Sequence, residues 1–166
     1  MPPLYEPEAV KPMWEELAAV GIQPLTTPEE VDSLLGPGAT GTTLLVINAV
    51  GGCRPGVMLA LQNDLIPDNL VTVFAGVDRE ATQRAREYMP QIPPSSPNII
   101  LFKDGKPTHA LQRMHIERMT AVDIGNALRD VFAKECTRKG PSVPREDYDK
   151  IDPVQKCGSS IPLYQG

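Results

Sequence analysis

The sequence is poor in cysteine, has no excess of basic residues and lacks a long apolar run. Its three cysteines, Cys53, Cys136 and Cys157, are odd in number and far apart, which excludes the disulfide framework of a small secreted fold. No apolar stretch has the roughly 20 residues that a membrane-spanning helix needs. The first residues also lack the basic and apolar regions of a signal peptide. We therefore expect a cytoplasmic protein that does not insert into a membrane.

Charge and ligand spacing exclude two further classes of partner. The 16 lysines and arginines are outnumbered by 21 aspartates and glutamates, so the formal net charge is −5. Nothing in this balance indicates a basic patch that would attract phosphate backbones, and nucleic acid is not an expected partner. No two of the cysteines and the two histidines, His109 and His115, have the short spacing of a zinc site, so no metal is expected.

Helical and strand patterns alternate along the chain in the order of an α/β fold. Apolar residues recur at helical spacing between residues 8 and 20, which predicts an amphipathic helix that Gly21 ends. Thr27 and Glu30 have the spacing of a capping box, which predicts a short helix ending at Leu35. The chain then continues as a predicted βαβα unit with parallel strands. Its elements are a buried strand over 43–50, a helix over 54–65, a buried strand over 70–75 and a helix over 78–88 that Asp78 caps.

A hairpin and a final helix complete the predicted sheet. Residues 98–103 and 106–113 are predicted to be antiparallel strands, because Asp104-Gly105 between them supplies the positive φ angles of a tight turn. Thr120, with an aspartate three residues later, has the spacing of a helix cap, and the helix that follows carries an apolar face. The sequence therefore predicts a mixed β-sheet flanked by helices on both faces, in one domain over residues 1–137.

Residues 138–166 form a C-terminal tail that is rich in proline and charge. Such a composition does not bury a core of its own, so we expect the tail either to wrap around the domain or to stay mobile. A disordered tail is the preferred interpretation up to Lys156. Cys157 and the apolar residues from Ile161 to Tyr164 instead indicate that the last part docks onto a surface.

The sequence Gly51-Gly52-Cys53 interrupts two apolar runs within residues 44–61. It joins a predicted strand to a predicted helix, and open α/β sheets place their active groups at turns of this kind. The unpaired N–H groups and positive dipole of the helix N-terminus favour the thiolate form of Cys53. Cys53 is therefore the candidate catalytic nucleophile, whereas Cys136 is expected to be a small buried hydrophobe or an incidental surface site.

Pro97 stands immediately before the predicted hairpin, at the first residue of a strand, where a proline is tolerated because it has no N–H to donate. The segment PNIILFKDG, which starts at Pro97, resembles the thioredoxin segment in which a cis proline precedes a strand, Phe-Lys, a polar residue and Gly. This segment, the order of the predicted strands and the turn at Gly51-Gly52-Cys53 together resemble the thioredoxin superfamily. The resemblance implies a cis Ser96-Pro97 bond opposite the reactive cysteine. It also implies that Ser96 and Pro97, with Gly51 and Gly52, bind an extended substrate.

More closely, the chain is similar to the bacilliredoxins, small bacterial proteins with a thioredoxin-like fold. The similarity covers most of residues 8–135, in the segments LTTPEEV, GTTLLVINAV, LQNDLIPDNLVTVFAGVDREATQRAREYMPQIPPSSPN and RMHIE. It implies thiol chemistry: removal of the low-molecular-weight thiol bacillithiol from oxidised or S-thiolated client proteins, or related disulfide exchange and isomerisation. It implies no bound cofactor, and a bacillithiol-like thiol as co-substrate.

The motif of that family is Cys-Gly-Cys, followed by small residues and then Arg-Pro, and this chain departs from it. In one alignment Gly51 takes the place of the first cysteine and Cys53 that of the second; in another, Cys53 stands for the first cysteine and residues are lost after it. Either alignment leaves one thiol, which can form a mixed disulfide but needs a second thiol to resolve it. The candidates for that second thiol are a free small thiol, Cys157 in the tail, or another protein. There are two alternatives to a monothiol oxidoreductase. One is a catalytically impaired thioredoxin-like binding module, and the other is a protein that keeps the fold in a purely structural role, without any thiol chemistry.

Overall fold

The computed structural model describes residues 1–151 and 163–165. Their helices are α1 (Pro7–Ala18), α2 (Pro28–Leu35), α3 (Arg54–Ala60), α4 (Arg79–Glu87), α5 (Arg113–Ile116), α6 (Ala121–Glu135) and α7 (Arg145–Asp149). Their strands are β1 (Gln23–Pro24), β2 (Thr42–Asn48), β3 (Leu65–Ile66), β4 (Asn69–Phe74), β5 (Asn98–Lys103), β6 (Lys106–Leu111) and β7 (Arg138–Lys139).

Five of these strands form one mixed sheet in the order β1-β4-β2-β5-β6. The central strand, β2, is parallel to β4 and antiparallel to β5, and every one of its residues is buried. Asp104 and Gly105 both have positive φ angles and turn the chain from β5 into β6, so the predicted hairpin is confirmed. This sheet, with helices packed on it, is the α/β, thioredoxin-like arrangement that the sequence predicts.

The two faces of the sheet bury separate apolar layers, because successive side chains of a strand point to opposite faces. Leu45 of β2 packs in the layer that contains apolar residues of α2 and α4, and Leu44 packs in the layer under α3 and α6. Gly56 lets α3 approach α6 closely, since a Cβ added there would lie 2.5 Å from the Cβ of Ile124. The helix that begins at the cysteine turn is therefore held tightly against its neighbour.

The predicted helix caps are mostly confirmed. Thr27 with Glu30, and Thr120 with Asp123, form the reciprocal hydrogen bonds of a capping box at the starts of α2 and α6. The prediction for Asp78 is wrong in one respect: it is the N-cap residue of α4, but its side chain makes no capping hydrogen bond.

The helix predicted over 8–20 ends at Ala18, and the strand predicted over 43–50 ends at Asn48. Two further boundaries differ because the chain makes contacts that local patterns do not reveal. The helix predicted over 54–65 ends at Ala60, since Leu65 and Ile66 form β3 and pair with β7. The strand predicted over 106–113 ends at Leu111, and the chain then forms the short helix α5.

The first part of the tail is ordered and wraps around the domain, so the preference for disorder is wrong for residues 138–151. The backbone N–H of Ser142 donates to the carbonyl of Leu61 at 3.1 Å, and the Gln62 side chain donates to the carbonyl of Val143 at 2.9 Å. Three tail residues also pack against the layer under α3 and α6; they are Val143, Tyr148 and Ile151. Leu163, in the second described segment, forms an isolated antiparallel bridge with Tyr5.

Candidate functional site

The end of the central strand carries the cysteine turn, which we define as residues 49–53. β2 ends at Asn48, and α3 begins at Arg54 with Cys53 as its N-cap residue. Gly51 and Gly52 are exposed, and no atom lies within 4 Å of the position that a Cβ would occupy at either glycine. The turn therefore presents bare backbone to the surface, in front of the residue that opens the helix.

The Ser96-Pro97 peptide bond is cis, as the sequence predicts, and it lies beside this turn. The bond and the turn are neighbours because of the register of the sheet, in which Ile47 near the end of β2 pairs with Asn98 at the start of β5. Gly51, Gly52, Ser96 and Pro97 line one groove of about 510 Å³, together with residues of the N-terminal segment and of α5. The structure thus brings together all four residues predicted to bind an extended substrate.

The thiol of Cys53 lies behind this groove and does not line it. Cys53 is 0% exposed and packs in the apolar layer under α3 and α6. Burial raises the pKa of the thiol to about 12, although the positive charge of the adjacent Arg54 acts in the opposite direction. The expectation of a stabilised thiolate therefore fails for this conformation, because loss of water outweighs the charge and the dipole at the helix N-terminus.

Arg54 and Glu16, which sequence reasoning missed, hold the cysteine turn in place from inside the protein. The Arg54 Nε donates to Glu16 Oε1 at 2.6 Å, and both side chains are almost wholly buried. The Arg54 Nη1 donates to the backbone carbonyls of Ala49 at 2.6 Å and Gly51 at 3.2 Å, and to the Asn48 Oδ1 at 3.1 Å. One guanidinium thus joins α1, the end of β2 and the turn.

The sequence does contain signals for this pair. Arg54 is the only charged residue between positions 44 and 61, within two otherwise apolar runs. Glu16 stands three residues after the buried Met13 of α1, so it falls on the buried face of that helix. A charge on each of two apolar elements indicates a buried ion pair.

A second cavity, of about 620 Å³, adjoins the groove and shares four of its lining residues, Tyr5, Ala49, Val50 and Ser96. One face of α4 also lines it, with Arg79 and Arg86 among the lining residues. We call it the arginine cavity. Together the two cavities make a continuous depression at the end of β2.

The other cysteines lie elsewhere. Cys136 is buried at the C-terminal end of α6, where burial raises the pKa of its thiol to about 11. This location agrees with the expected buried hydrophobe and excludes the surface alternative. Cys157, the candidate resolving thiol, lies outside the described residues. Cys53 and Cys136 are both free thiols.

Within residues 1–151 and 163–165, no group of three or more His, Cys, Asp or Glu side chains could hold a metal ion. None of the helices in those same ranges is long and apolar enough to cross a membrane.

Comparison with known proteins gives a family and several relatives. The disulphide isomerase family matches residues 5–136. A protein named bacilliredoxin from Salinibacter ruber (strain DSM 13855 / M31) is 42% identical over 164 residues, which cover 95% of this chain and 95% of the relative. A bacilliredoxin from Staphylococcus aureus (strain NCTC 8325 / PS 47) is 45% identical over 141 residues, which cover 82% of this chain and 96% of the relative.

Proposed function

We propose that this chain, which belongs to the bacilliredoxin family, catalyses thiol–disulfide exchange through one cysteine, Cys53, and removes a bacillithiol-like small thiol from oxidised client proteins. The disulphide isomerase and bacilliredoxin names of its relatives support a thiol–disulfide redox role and protein substrates. The single-cysteine mechanism, the small thiol and a cytoplasmic setting are our own proposals.

The exchange needs two displacement steps. In the first, the Cys53 thiolate attacks the sulfur of the small thiol in a client mixed disulfide; a Cys53–small-thiol disulfide forms and the client cysteine leaves as a thiolate. In the second, a free small thiol attacks the small-thiol sulfur of that adduct, which releases the Cys53 thiolate and forms a small-thiol disulfide. Where Cys157 is the second thiol, its thiolate attacks the Cys53 sulfur instead, which releases the small thiol as a thiolate and forms a Cys53–Cys157 disulfide. No step changes the total number of disulfides.

One observation carries the proposal: the buried Cys53 is the residue directly after the exposed Gly51 and Gly52, which line the substrate groove. Two glycines without side-chain contacts restrict the backbone least, so displacement of this turn is the cheapest route by which the thiol reaches the groove. Exposure then removes the effect that raises the pKa of Cys53. The attack therefore follows opening of the turn.

The backbone on the far side of the groove supports binding of an extended client segment. Ser96 is half-buried, and it precedes the first residue that pairs within the sheet, Asn98. Peptide groups at the end of a strand offer the same hydrogen bonds that an added strand uses. We propose that Gly51, Gly52, Ser96 and Pro97 align the client disulfide with Cys53.

The second thiol is a free small thiol or Cys157. Leu163, six residues after Cys157 in the chain, pairs with Tyr5, and Tyr5 lines the groove. Cys157 resolves the adduct only if its Cα comes within ~7 Å of that of Cys53.

The test is to treat the native protein with bacillithiol disulfide, and separately with glutathione disulfide, and to map the adducts by mass spectrometry. The parent is compared with Cys53→Ser and Cys157→Ser variants. We expect an adduct on Cys53 in the folded protein. An adduct that persists in the parent supports an external reductant, and one that accumulates only in Cys157→Ser makes Cys157 the resolving thiol. Modification of Cys136 or Cys157 without any modification of Cys53 contradicts the proposal.

A second candidate function is a binding module that keeps the groove and has lost catalysis. The observation in its favour is that the neutral, fully buried thiol of Cys53 does not line the groove. The same experiment separates the two functions: in a binding module, Cys53 is modified only after unfolding by denaturant. An extended peptide then binds equally well to the parent and to Cys53→Ser.

A further inference from the structure

We propose that Arg79 and Arg86, which line the arginine cavity, bind the carboxylate groups of the small thiol. This inference rests on the proposed function, because it adds a binding subsite to that same site.

The position of the cavity is the first argument. It shares Tyr5, Ala49, Val50 and Ser96 with the groove, so a molecule bound in it lies next to the cysteine turn. Its volume of about 620 Å³ falls within the range of ~300–1,000 Å³ that is usual for sites of small organic ligands. A small thiol of roughly tripeptide size can therefore occupy it while its sulfur points toward the groove.

The arrangement of α4 is the second argument. Five residues of this helix line the cavity, and four of them, Arg79, Thr82, Gln83 and Arg86, have spacings of three, four and seven residues, which place them on one face. Two helical turns separate the arginines, a distance of about 10 Å along the axis. The face thus presents two cationic groups with polar side chains between them, which suits an extended ligand with separated carboxylates.

The third argument is that these guanidinium groups keep unused donors. Arg86 donates from Nη2 to the carbonyl of Ser95 at 3.0 Å, while its Nε is buried and has no hydrogen-bond partner among the described residues. Arg79 donates from Nη1 to the carbonyl of Pro2 at 3.1 Å. In the described part of the chain, neither forms a salt bridge with a carboxylate. Burial lowers the pKa of Arg86, yet a guanidinium remains charged at neutral pH.

One acidic residue also lines the cavity and does not neutralise these arginines. Glu87 Oε2 lies 3.4 Å from the Nε of Arg84, which is not a lining residue. Glu80, next to Arg79 in the chain, pairs with the N-terminal amine, and its charge also interacts with that of Arg79. Arg86 is half-buried and has no salt bridge among the described residues, which is costly for a cation, and a ligand carboxylate with two oxygens is the group that matches a guanidinium best. The cavity therefore favours an anionic ligand.

The test measures binding without exchange. S-methylglutathione, which has two carboxylates and no free thiol, is titrated into the parent and into Cys53→Ser, and binding is followed by calorimetry. Its diethyl ester, which lacks both carboxylates, is the matched probe. We expect saturable binding of the acid to both proteins, and binding of the ester that is weaker by about tenfold or more.

Variants locate the ligand. Arg79→Gln and Arg86→Gln should each weaken binding of the acid about tenfold, whereas Arg145→Gln, which changes an arginine of α7 that pairs with Asp149 and lines neither cavity, should leave it within about twofold. Because Arg86 also donates to the carbonyl of Ser95, thermal unfolding is used to check that Arg86→Gln still folds. Arg79→Gln tests the proposal without changing that contact.

Three results would overturn the proposal: no saturable binding of the acid to the parent, equal binding of acid and ester, or unchanged binding in both Arg79→Gln and Arg86→Gln. Failure of the proposed function gives a different pattern, in which the acid binds through the two arginines but Cys53 is never modified in the folded protein. Conversely, Cys53 modified at the same rate in the parent and in both arginine variants leaves the exchange function standing and removes the subsite.

Discussion

The reactivity of Cys53 is decided by two opposing effects on a single thiol. Burial takes away the water that would stabilise a thiolate and raises its pKa to about 12, while the charge of Arg54 lowers it. Burial dominates because the sulfur lies wholly within the apolar layer under α3. The thiol is therefore neutral at physiological pH for as long as the cysteine turn keeps the conformation described here, and its reactivity depends on movement of that turn.

Gly51 is the position where a second thiol fits most readily. Its backbone is not in the left-handed region and a Cβ there meets no atom within 4 Å. In Gly51→Cys we expect the exposed thiol to titrate near the ordinary value of ~8.5 and to be alkylated at pH 8 at least ~100-fold faster than Cys53. The free energy of unfolding should change by less than ~0.5 kcal/mol. Gly51→Ser is the size-matched control; equal labelling of the two variants would contradict the prediction.

Asp78 should make the stability of the protein depend on pH. Burial, with a smaller contribution from the nearby Glu30 carboxylate, raises the pKa of Asp78 from its ordinary 3.8 to about 6. The folded state therefore favours the protonated acid, so this stabilisation is present below pH ~4 and is lost as pH rises through ~6.

The Asp78→Asn variant removes that dependence. At pH 4 the free energy of unfolding of the variant should be similar to that of the parent. At pH 7 the variant should be more stable by about 1 kcal/mol, which is less than the full pKa shift would give because part of the side chain is exposed to solvent. Urea unfolding of both proteins at pH 4, 5, 6 and 7 measures the difference. A constant difference across this range would show that Asp78 titrates normally.

At the scale of secondary-structure elements, the feature that matters most is the connection from α1 to the cysteine turn. Glu16 reaches Arg54 across 38 residues of sequence, and Arg54 in turn binds the carbonyl groups of Ala49 and Gly51. Removing one partner of a buried ion pair leaves a charge without compensation, which is costly. The order of the turn, and with it the burial of Cys53, therefore depends on a helix that lies far away in the chain.

Glu16→Gln should weaken this connection while keeping the size of the side chain. We expect a loss of about 3 kcal/mol in the free energy of unfolding, and faster alkylation of Cys53 in the folded protein as the turn loosens. Glu15→Gln, an exposed change on the same helix, is the matched control and should shift stability by less than ~0.5 kcal/mol. If Glu16→Gln destabilises the protein without changing the labelling rate, Arg54 stabilises the core but does not control access to the thiol.

Sequence predicts the elements that are specified locally and misses those that depend on distant partners. The capping box of Thr27 and Glu30 and the hairpin turn at Asp104-Gly105 each lie within a few residues, so their patterns are sufficient. The cis bond before Pro97 follows from a segment whose order and spacing resemble thioredoxin. The raised pKa of Cys53 could not be predicted, because the depth of a side chain at a turn depends on how α3, α6 and the sheet pack together.

At the scale of the whole molecule, residues 138–151, the first part of the tail, belong to the folded unit. The pairing of β3 with β7 joins residues that are more than 70 positions apart, and Arg138 donates to the carbonyl groups of Pro67 and Asp68. Val143 and Tyr148 pack against the core layer under α6. The predicted domain over residues 1–137 therefore lacks apolar contacts that the described structure has.

Truncation tests this boundary. A chain ending at residue 137 should be less stable than one ending at residue 151 by roughly 2 kcal/mol or more, since it loses the partly buried side chains of Val143, Tyr148 and Ile151. Urea unfolding of the two truncated chains measures the difference under identical conditions. Equal midpoints and slopes would show that residues 1–137 form a self-sufficient domain, as the sequence predicts.

The order of strands in the sheet also bears on aggregation. Both strands at the edges contain a proline, Pro24 in β1 and Pro107 in β6, and β1 is only two residues long. Proline supplies no N–H, so each edge presents an interrupted row of donors to another strand. The sheet therefore resists fibril-like growth through either edge, even in a protein whose proposed work is to meet partly unfolded, oxidised chains. We propose that such chains bind instead at the strand ends beside Pro97, where an extended segment can bind without seeding further strands.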